Sequence, residues 1–276
     1  MDDKYSVLMS VYYKEKPEYL QQSIESILNQ TAPTDDFVLV CDGPLTMELE
    51  NIIEQLTREW PQTMMILRLP ERKGLGIALR EGVLACRCEI VARMDSDDIA
   101  LPQRMELQLA ALEKNLELAE LGGQIDEFFE ENTWGNREVP LSPEKVRNRA
   151  AFRNPMNHMT VTFRREAVLA AGNYMDFDRF EDYHLWARML GQSMKLANLP
   201  QVLVRARVND GTYARRGGWR YFCQSVAMQN HLLHCGLCGP VGWLRNCLIR
   251  FLGTVLLPRA LRGRIYQTLL RRRDEP

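Results

Sequence analysis

The sequence predicts an α/β fold: a mixed, mostly parallel, Rossmann-like sheet flanked by helices, followed by a basic helical appendage. Three observations lead there. Strand-like and helix-like segments alternate through residues 5–95. The strand-like runs are short and apolar, as expected of strands covered on both faces. Charge is also unevenly placed: residues 201–276 hold 13 Arg, no Lys and 3 acids, whereas residues 1–200 hold 22 Lys and Arg against 33 acids.

The elements follow in order. YSVLMSVYY (5–13) reads as a first strand, rich in Val, Leu and Tyr. In PEYLQQSIESILNQ (17–30), Pro17 suits a first helical position, and Leu20, Ile24, Ile27 and Leu28 share one face. FVLVCDG (37–43) is a second buried strand, and Leu49, Ile52, Ile53 and Leu56 mark a second helix. MMILRL (64–69), GLGIALREGVLA (74–85) and EIVARMD (89–95) read as strand, helix and strand. A helix near Pro102 follows, then a strand at 121–129, a short helix from Ser142 and a strand at 158–163. EDYHLWARMLG (181–191) is a helix with an apolar stripe of Leu185, Met189 and Leu190, and LVRARV (203–208) is a last strand. From about residue 211 the chain turns Gly-, Arg- and aromatic-rich, which divides it into a body (1–210) and a C-terminal segment (211–276).

With 46% hydrophobic residues, the chain has enough apolar material for one large core with an appendage. Seven Cys at irregular spacing do not form a disulfide framework, which points to a reducing cytoplasm. The opening residues read as a strand rather than a secretory leader, and no run of 18 apolar residues suggests a spanning helix. The acidic body excludes nucleic acid as its partner, whereas the basic end suits phosphate or an anionic membrane face.

In a sheet of this kind, ligands bind beyond the carboxyl ends of the strands. Three polar clusters sit there: Ser10-Val11-Tyr12, Asp42-Gly43 and Asp95 to Asp98. Asp95, Asp97 and Asp98 place three carboxylates in four positions, where they repel one another. A divalent cation on a polyphosphate removes that problem, since Mg²⁺ or Mn²⁺ takes one or two carboxylates plus phosphate oxygens. An acidic helix start is the alternative. A calcium loop fails, because Ile99 and Ala100 stand where an oxygen ligand and a Gly belong.

The second pair, Glu181 and Asp182 in FEDYHLW, opens a predicted helix. It reads either as an acidic first turn or as the source of a general base that takes a proton from an attacking hydroxyl. Trp186, one turn on, reads as a stacking platform for a ligand ring or as core. His158 reads as an acceptor contact or as a satisfied buried histidine.

Taken together, SVYYKEKPEYLQQSIESILNQT, VCDG, ERKGLGIALREGV, ARMDSDDIALPQR and FEDYHLWARML, in that order, resemble the inverting nucleotide-sugar glycosyltransferases of the GT-A fold, glycosyltransferase family 2. The likeness is to the bacterial branch that builds O-antigen, capsule and exopolysaccharide units, and it covers about residues 4–210. It implies a metal-dependent transfer of a hexose, from UDP-glucose or UDP-galactose, to a hydroxyl of an undecaprenyl-diphosphate-linked sugar, forming a β-linkage. It also implies roles. Ser10, Val11 and Tyr12 lie along the nucleotide. Asp42 accepts from the uracil N–H. Asp95 meets the ribose beside the metal, and Asp97 ligates the Mn²⁺ or Mg²⁺, with Asp98 the open alternative. Lys73 and Gly74 match a donor-binding segment, although Arg72 stands where the family usually has Asn. Asp182 supplies the base beside Glu181. A sugar nucleotidyltransferase is the enzyme rival, but SVYYKEKPEY lacks the Gly-rich loop expected after its first strand.

The C-terminal segment adds two expectations. Arg215 and Arg216, between Gly211 and Gly217-Gly218, suit a diphosphate-binding lid, or else begin the tail. Residues 242–273 mix Arg with Trp, Leu, Ile and Phe. They fit helices lying on the inner face of the cytoplasmic membrane, which would make the protein peripheral, or a subdomain packed on the body or on the partner in a homodimer. His231, His234, Cys235 and Cys238 crowd too closely for one tetrahedral zinc and read as packed, reduced side chains.

Overall fold

The computed structural model describes residues 5–129, 132–208 and 217–256. A nine-stranded mixed sheet runs through the body in the order β3-β2-β1-β4-β8-β6-β9-β5, with β7 hairpinned onto β6. The first half is the predicted alternation: β1 (Tyr5–Val11), α1 (Pro17–Leu28), β2 (Asp36–Cys41), α2 (Met47–Glu59), β3 (Met64–Arg68), α3 (Leu75–Ala85) and β4 (Ile90–Asp95). β3, β2, β1 and β4 are parallel neighbours, with Ser10 paired to both Val40 and Asp95. That register brings the three polar clusters to one edge.

Alternation along β1 explains the layering. Tyr5, Val7, Met9 and Val11 face one apolar cluster, with Leu20, Ile24 and Ile27 of α1 and Leu49, Ile53 and Leu56 of α2. Leu8 faces the other, with Ala78, Leu79 and Val83 of α3. α4 (Arg104–Lys114) joins the first layer through Met105 and Leu112. α5 (Pro143–Ala150), α6 (Arg165–Ala170) and α7 (Glu181–Gly191) join the second. Capping residues fix several starts: Pro17 stands in the first turn of α1, and the Thr46 and Ser142 hydroxyls accept the Leu49 and Lys145 N–H groups.

The second half is where the structure departs from the predicted boundaries. β6 (Leu118–Phe129) begins earlier than expected, and β9 (Lys195–Arg207) starts well before residue 203. Pro200 lies inside this strand and cannot donate to the ladder. The sheet tolerates it because the β6–β9 register shifts between Gly122 and Gln124, opposite that stretch. The strand expected over 158–163 is a 3₁₀ turn at His158–Thr160 followed by β8 (Thr162–Arg164). Thr160 Oγ1 donates to Asn157 O and accepts from the Gly123 N–H, and these local bonds displace strand pairing. β5 (Ile99–Ala100), β7 (Asn132–Arg137) and α6 were not expected from the sequence pattern. β8 is antiparallel to β4 and β6, β5 is antiparallel to β9, and β6 and β9 are parallel.

Two C-terminal helices, α8 (Trp219–His234) and α9 (Pro240–Phe251), lead into a π-helical turn, Leu252–Leu256. They pack on the body. Met228 and Leu232 enter the second apolar layer, His231 Nε2 meets His184 O at 3.2 Å, and the His184 and His231 rings stack at 3.8 Å. Asn246 Nδ2 and Arg250 donate to the carbonyls of Ala151 and Phe152. Of the four residues singled out in HLLHCGLC, His231, Cys235 and Cys238 pack on the body, with Cys235 against Gly191, while His234 is exposed. No helix among the described residues is long and apolar enough to cross a membrane.

Candidate active site

A cleft of about 570 Å³ opens beyond the carboxyl ends of β1, β2 and β4. Ser10, Tyr12, Asp42, Asp95 and Asp97 line it together with Arg72 and Arg207, so the clusters expected to converge do so.

Asp42 closes β2. It is buried, and its carboxylate accepts the Lys73 N–H at 2.6 Å and the Gly74 N–H at 3.0 Å. The turn after it needs Gly43, whose φ is +86° and whose added Cβ would meet Arg72 N at 2.6 Å. Lys73 and Gly74 thus act through their backbone, by clamping Asp42. Arg72 lies 5.3 Å over the Tyr12 ring and 4.0 Å from Asp42. The residue that departs from the expected Asn therefore sits between two nucleotide-binding candidates.

The Asp95–Asp98 turn divides its carboxylates by direction. Asp95 is paired with the buried Arg93 at 2.5 Å, and its carbonyl accepts from Ser23 Oγ. Asp97 faces the cleft. Burial, then the nearby charges of Asp95 and Glu15, push its carboxyl up to about 7. Asp98 turns inward: Oδ1 accepts the Arg207 N–H at 2.7 Å, and Oδ2 has no hydrogen-bond partner among the described residues. Geometry therefore separates Asp97 from Asp98, which the sequence left open. Among the described residues, no three His, Cys, Asp or Glu side chains gather as a self-sufficient metal set. The donors do fit a hard cation that takes one or two carboxylates and completes its shell with phosphate oxygens. Asp97, facing the cleft beside Asp95, is the carboxylate that could hold it, and burial with the charges of Asp95 and Glu15 disfavours its ionised form when no cation is nearby.

The second pair begins α7. Asp182 accepts Asn154 Nδ2 at 2.7 Å and the Tyr183 N–H at 2.6 Å. Burial raises its carboxyl, while those two bonds and the Arg93 charge oppose the shift. Burial and then Asp182 push Glu181 up to about 7. Arg93 also offsets the rise at Asp98, so one buried guanidinium serves both carboxylate groups. Gly76 ties donor and base sides together, since an added Cβ would lie 2.3 Å from Met175 O and 3.3 Å from Glu181 Cβ.

Two expected acceptor contacts are placed differently. Trp186 is fully buried, so it is a core residue in this structure rather than a stacking platform. His158 is partly buried, with Nε2 3.0 Å from the Tyr174 hydroxyl and its ring edge-on to Trp186. Arg215 and Arg216 lie outside the described residues. Sequence reasoning missed Arg93, Asn154 and Glu120. Arg93 and Glu120 lie in apolar strands where a charge reads as an interruption, and Asn154 lies 28 residues from the carboxylate it supports. Glu120 is wholly buried, and Trp186 opposes the rise that burial imposes on its carboxyl.

Comparison with known proteins bears on this arrangement. Residues 6–170 match the family described as Glycosyl transferase family 2. The chain is 36% identical to the amylovoran biosynthesis glycosyltransferase AmsE of Erwinia amylovora, over 95% of this chain and 98% of that protein. It is 32% identical to an Escherichia coli UDP-Gal:alpha-D-GlcNAc-diphosphoundecaprenol beta-1,3-galactosyltransferase, over 98% and 97%. In fold it resembles S. aureus TarS 1-349 in complex with UDP-GlcNAc, with a TM-score of 0.67 at 17% identity, covering 95% of this chain and 75% of that one.

Proposed function

The chain belongs to glycosyl transferase family 2, and from that premise we propose that it transfers a hexose from a UDP-sugar, UDP-galactose or UDP-glucose, to a hydroxyl of a lipid-diphosphate-linked sugar in bacterial surface polysaccharide synthesis. The supporting observation is the placement of Asp42 and Asp97 in one cleft, with Asp182 held apart from them across Arg93. Similarity over nearly the whole length to a protein named for a diphosphoundecaprenol-linked acceptor supports the acceptor class.

In this reading Tyr12, Arg72 and Asp42 hold the nucleobase, and Asp95 the ribose. Asp97, with Asp95, holds a divalent cation, which when bound neutralises charge on the departing diphosphate. Asp182 takes the proton of the acceptor hydroxyl as its oxygen bonds to the anomeric carbon. The bond from that carbon to the diphosphate breaks in the same displacement, and UDP leaves with the electron pair. Attack opposite the leaving group converts an α-linked donor into a β-linked product. Asn154 and the Tyr183 N–H aim the Asp182 carboxylate and favour its ionised form against the push of burial. The lipid of the acceptor places the enzyme at the inner face of the cytoplasmic membrane.

The test is release of UDP from a panel of UDP-sugars, with and without a short-chain GlcNAc-diphosphate-lipid, with and without a chelator, and with the product's anomeric configuration read by NMR. Acceptor-dependent, chelator-sensitive release and a β-product are expected. An α-product, or transfer indifferent to the chelator, overturns the mechanism.

A further inference from the structure

α9 carries an apolar face that no described residue covers. Val241, Leu244, Leu248, Ile249 and the following Leu252 are 84, 63, 56, 60 and 47% exposed. At 3.6 residues per turn they fall within an arc of about 140°. The opposite side of the helix is fully engaged: Asn246 bonds Gln229 and Ala151, Trp243 Nε1 donates to Asn230, and Arg250 donates to Phe152 O. The exposed arc is therefore a second face, beyond the one that anchors the helix.

Charge selects the occupant. Residues 211–273 contain no Asp or Glu and 11 Arg. Arg245 stands exposed inside the apolar arc. A second copy docking through this face by a two-fold axis would bring that cation against its own copy. An anionic bilayer accepts both features: leucine side chains enter the acyl boundary, and guanidinium groups reach lipid phosphates. Position matters as well. α9 is bonded to Ala151 and Phe152, and Asn154, two residues on, holds Asp182. The helix that carries the face is therefore packed on the segment that holds Asp182.

We propose that the Val241–Leu252 face of α9 docks on an anionic lipid bilayer and presents the Asp182 side of the site to a membrane-borne acceptor. The docking stands on these side chains; its purpose rests on the glycosyltransferase reading above. The experiment uses the full chain in flotation with phosphatidylcholine vesicles, with and without phosphatidylglycerol, alongside transfer to a water-soluble short-chain acceptor and sedimentation without lipid. Wild type should float with phosphatidylglycerol vesicles. L244E/L248E should reduce that partition by about tenfold or more while leaving melting temperature and soluble-acceptor transfer unchanged. Flotation of L244E/L248E equal to wild type overturns the proposal, as does loss of flotation only when Arg271, Arg272 and Arg273 are changed to Gln. A lipid-free dimer that L244E/L248E dissociates, with no wild-type flotation, assigns the face to a second copy and also overturns it. Normal flotation without transfer to any soluble acceptor would instead count against the glycosyltransferase reading and leave the docking intact.

Discussion

Burial pushes the Asp182 carboxyl up, and hydrogen bonds from Asn154 Nδ2 and the Tyr183 N–H oppose that push. Asp182→Asn preserves shape and removes the proton acceptor. It should leave UDP-sugar affinity within a few-fold and cut transfer by ~10²–10⁴, read by equilibrium binding beside single-turnover kinetics. Equal losses in both would make the residue structural. Glu120 is the contrasting case, a carboxyl that burial first, and then the Asp182 charge, hold well above the ordinary range. Its folded-state pKa exceeds its unfolded value, so folding takes up a proton once the pH passes the usual Glu range. The stability it supports is full below that range and declines as pH rises toward the folded value, by up to about 1.4 kcal/mol per pH unit. Glu120→Gln is neutral at every pH. Its melting temperature should therefore gain on wild type between pH 5 and pH 8, and parallel curves would show Glu120 already ionised in the fold. Of these residues, only Asp182 was legible in the sequence, because a paired carboxylate opening a helix is a local pattern. Asn154, Arg93 and Glu120 acquire meaning only through neighbours that the sheet supplies.

At the scale of elements, the first half was readable because each strand and helix buries one regular face, as α1 does with Leu20, Ile24 and Ile27. In the second half α5 and α7 fall where expected, but strand boundaries slipped, because these strands carry Glu120, Gln124 and Pro200 in place of an unbroken apolar run and long-range pairing between β6 and β9 holds them. α3 shows how an element can serve the site without touching substrate. Its Gly76 lets the helix start press on Met175 and Glu181 while Gly74, just before it, caps Asp42. Alanine is favoured over glycine inside a helix by about 1 kcal/mol. Here its Cβ would collide with backbone, at a typical cost of ~1–3 kcal/mol for overpacking. Gly76→Ala should therefore lower the melting temperature and reduce transfer more than it weakens UDP binding. A stabilised, fully active variant would show that α3 moves aside freely.

For the whole molecule, donor binding should appear as linked stability with two separable parts. In the proposed function Asp42 and Tyr12 address the nucleoside without an ion, whereas Asp97 acts through a cation shared with the diphosphate. A ligand that binds the folded state alone at 100 times its dissociation constant stabilises by about 2.7 kcal/mol, and for a chain of this size each kcal/mol is worth roughly 2–4 °C. UDP alone should raise the melting temperature modestly, and UDP with Mn²⁺ should raise it further than the sum of the separate shifts. Asp97→Ala should lose that excess and keep the UDP-only increment. Asp42→Ala should lose the UDP-only increment, because the Lys73–Gly74 clamp and the uracil contact go together. If Asp97→Ala keeps the full Mn²⁺-dependent excess, the ion is held elsewhere, and Asp98, whose Oδ2 has no partner among the described residues, is the carboxylate to test next.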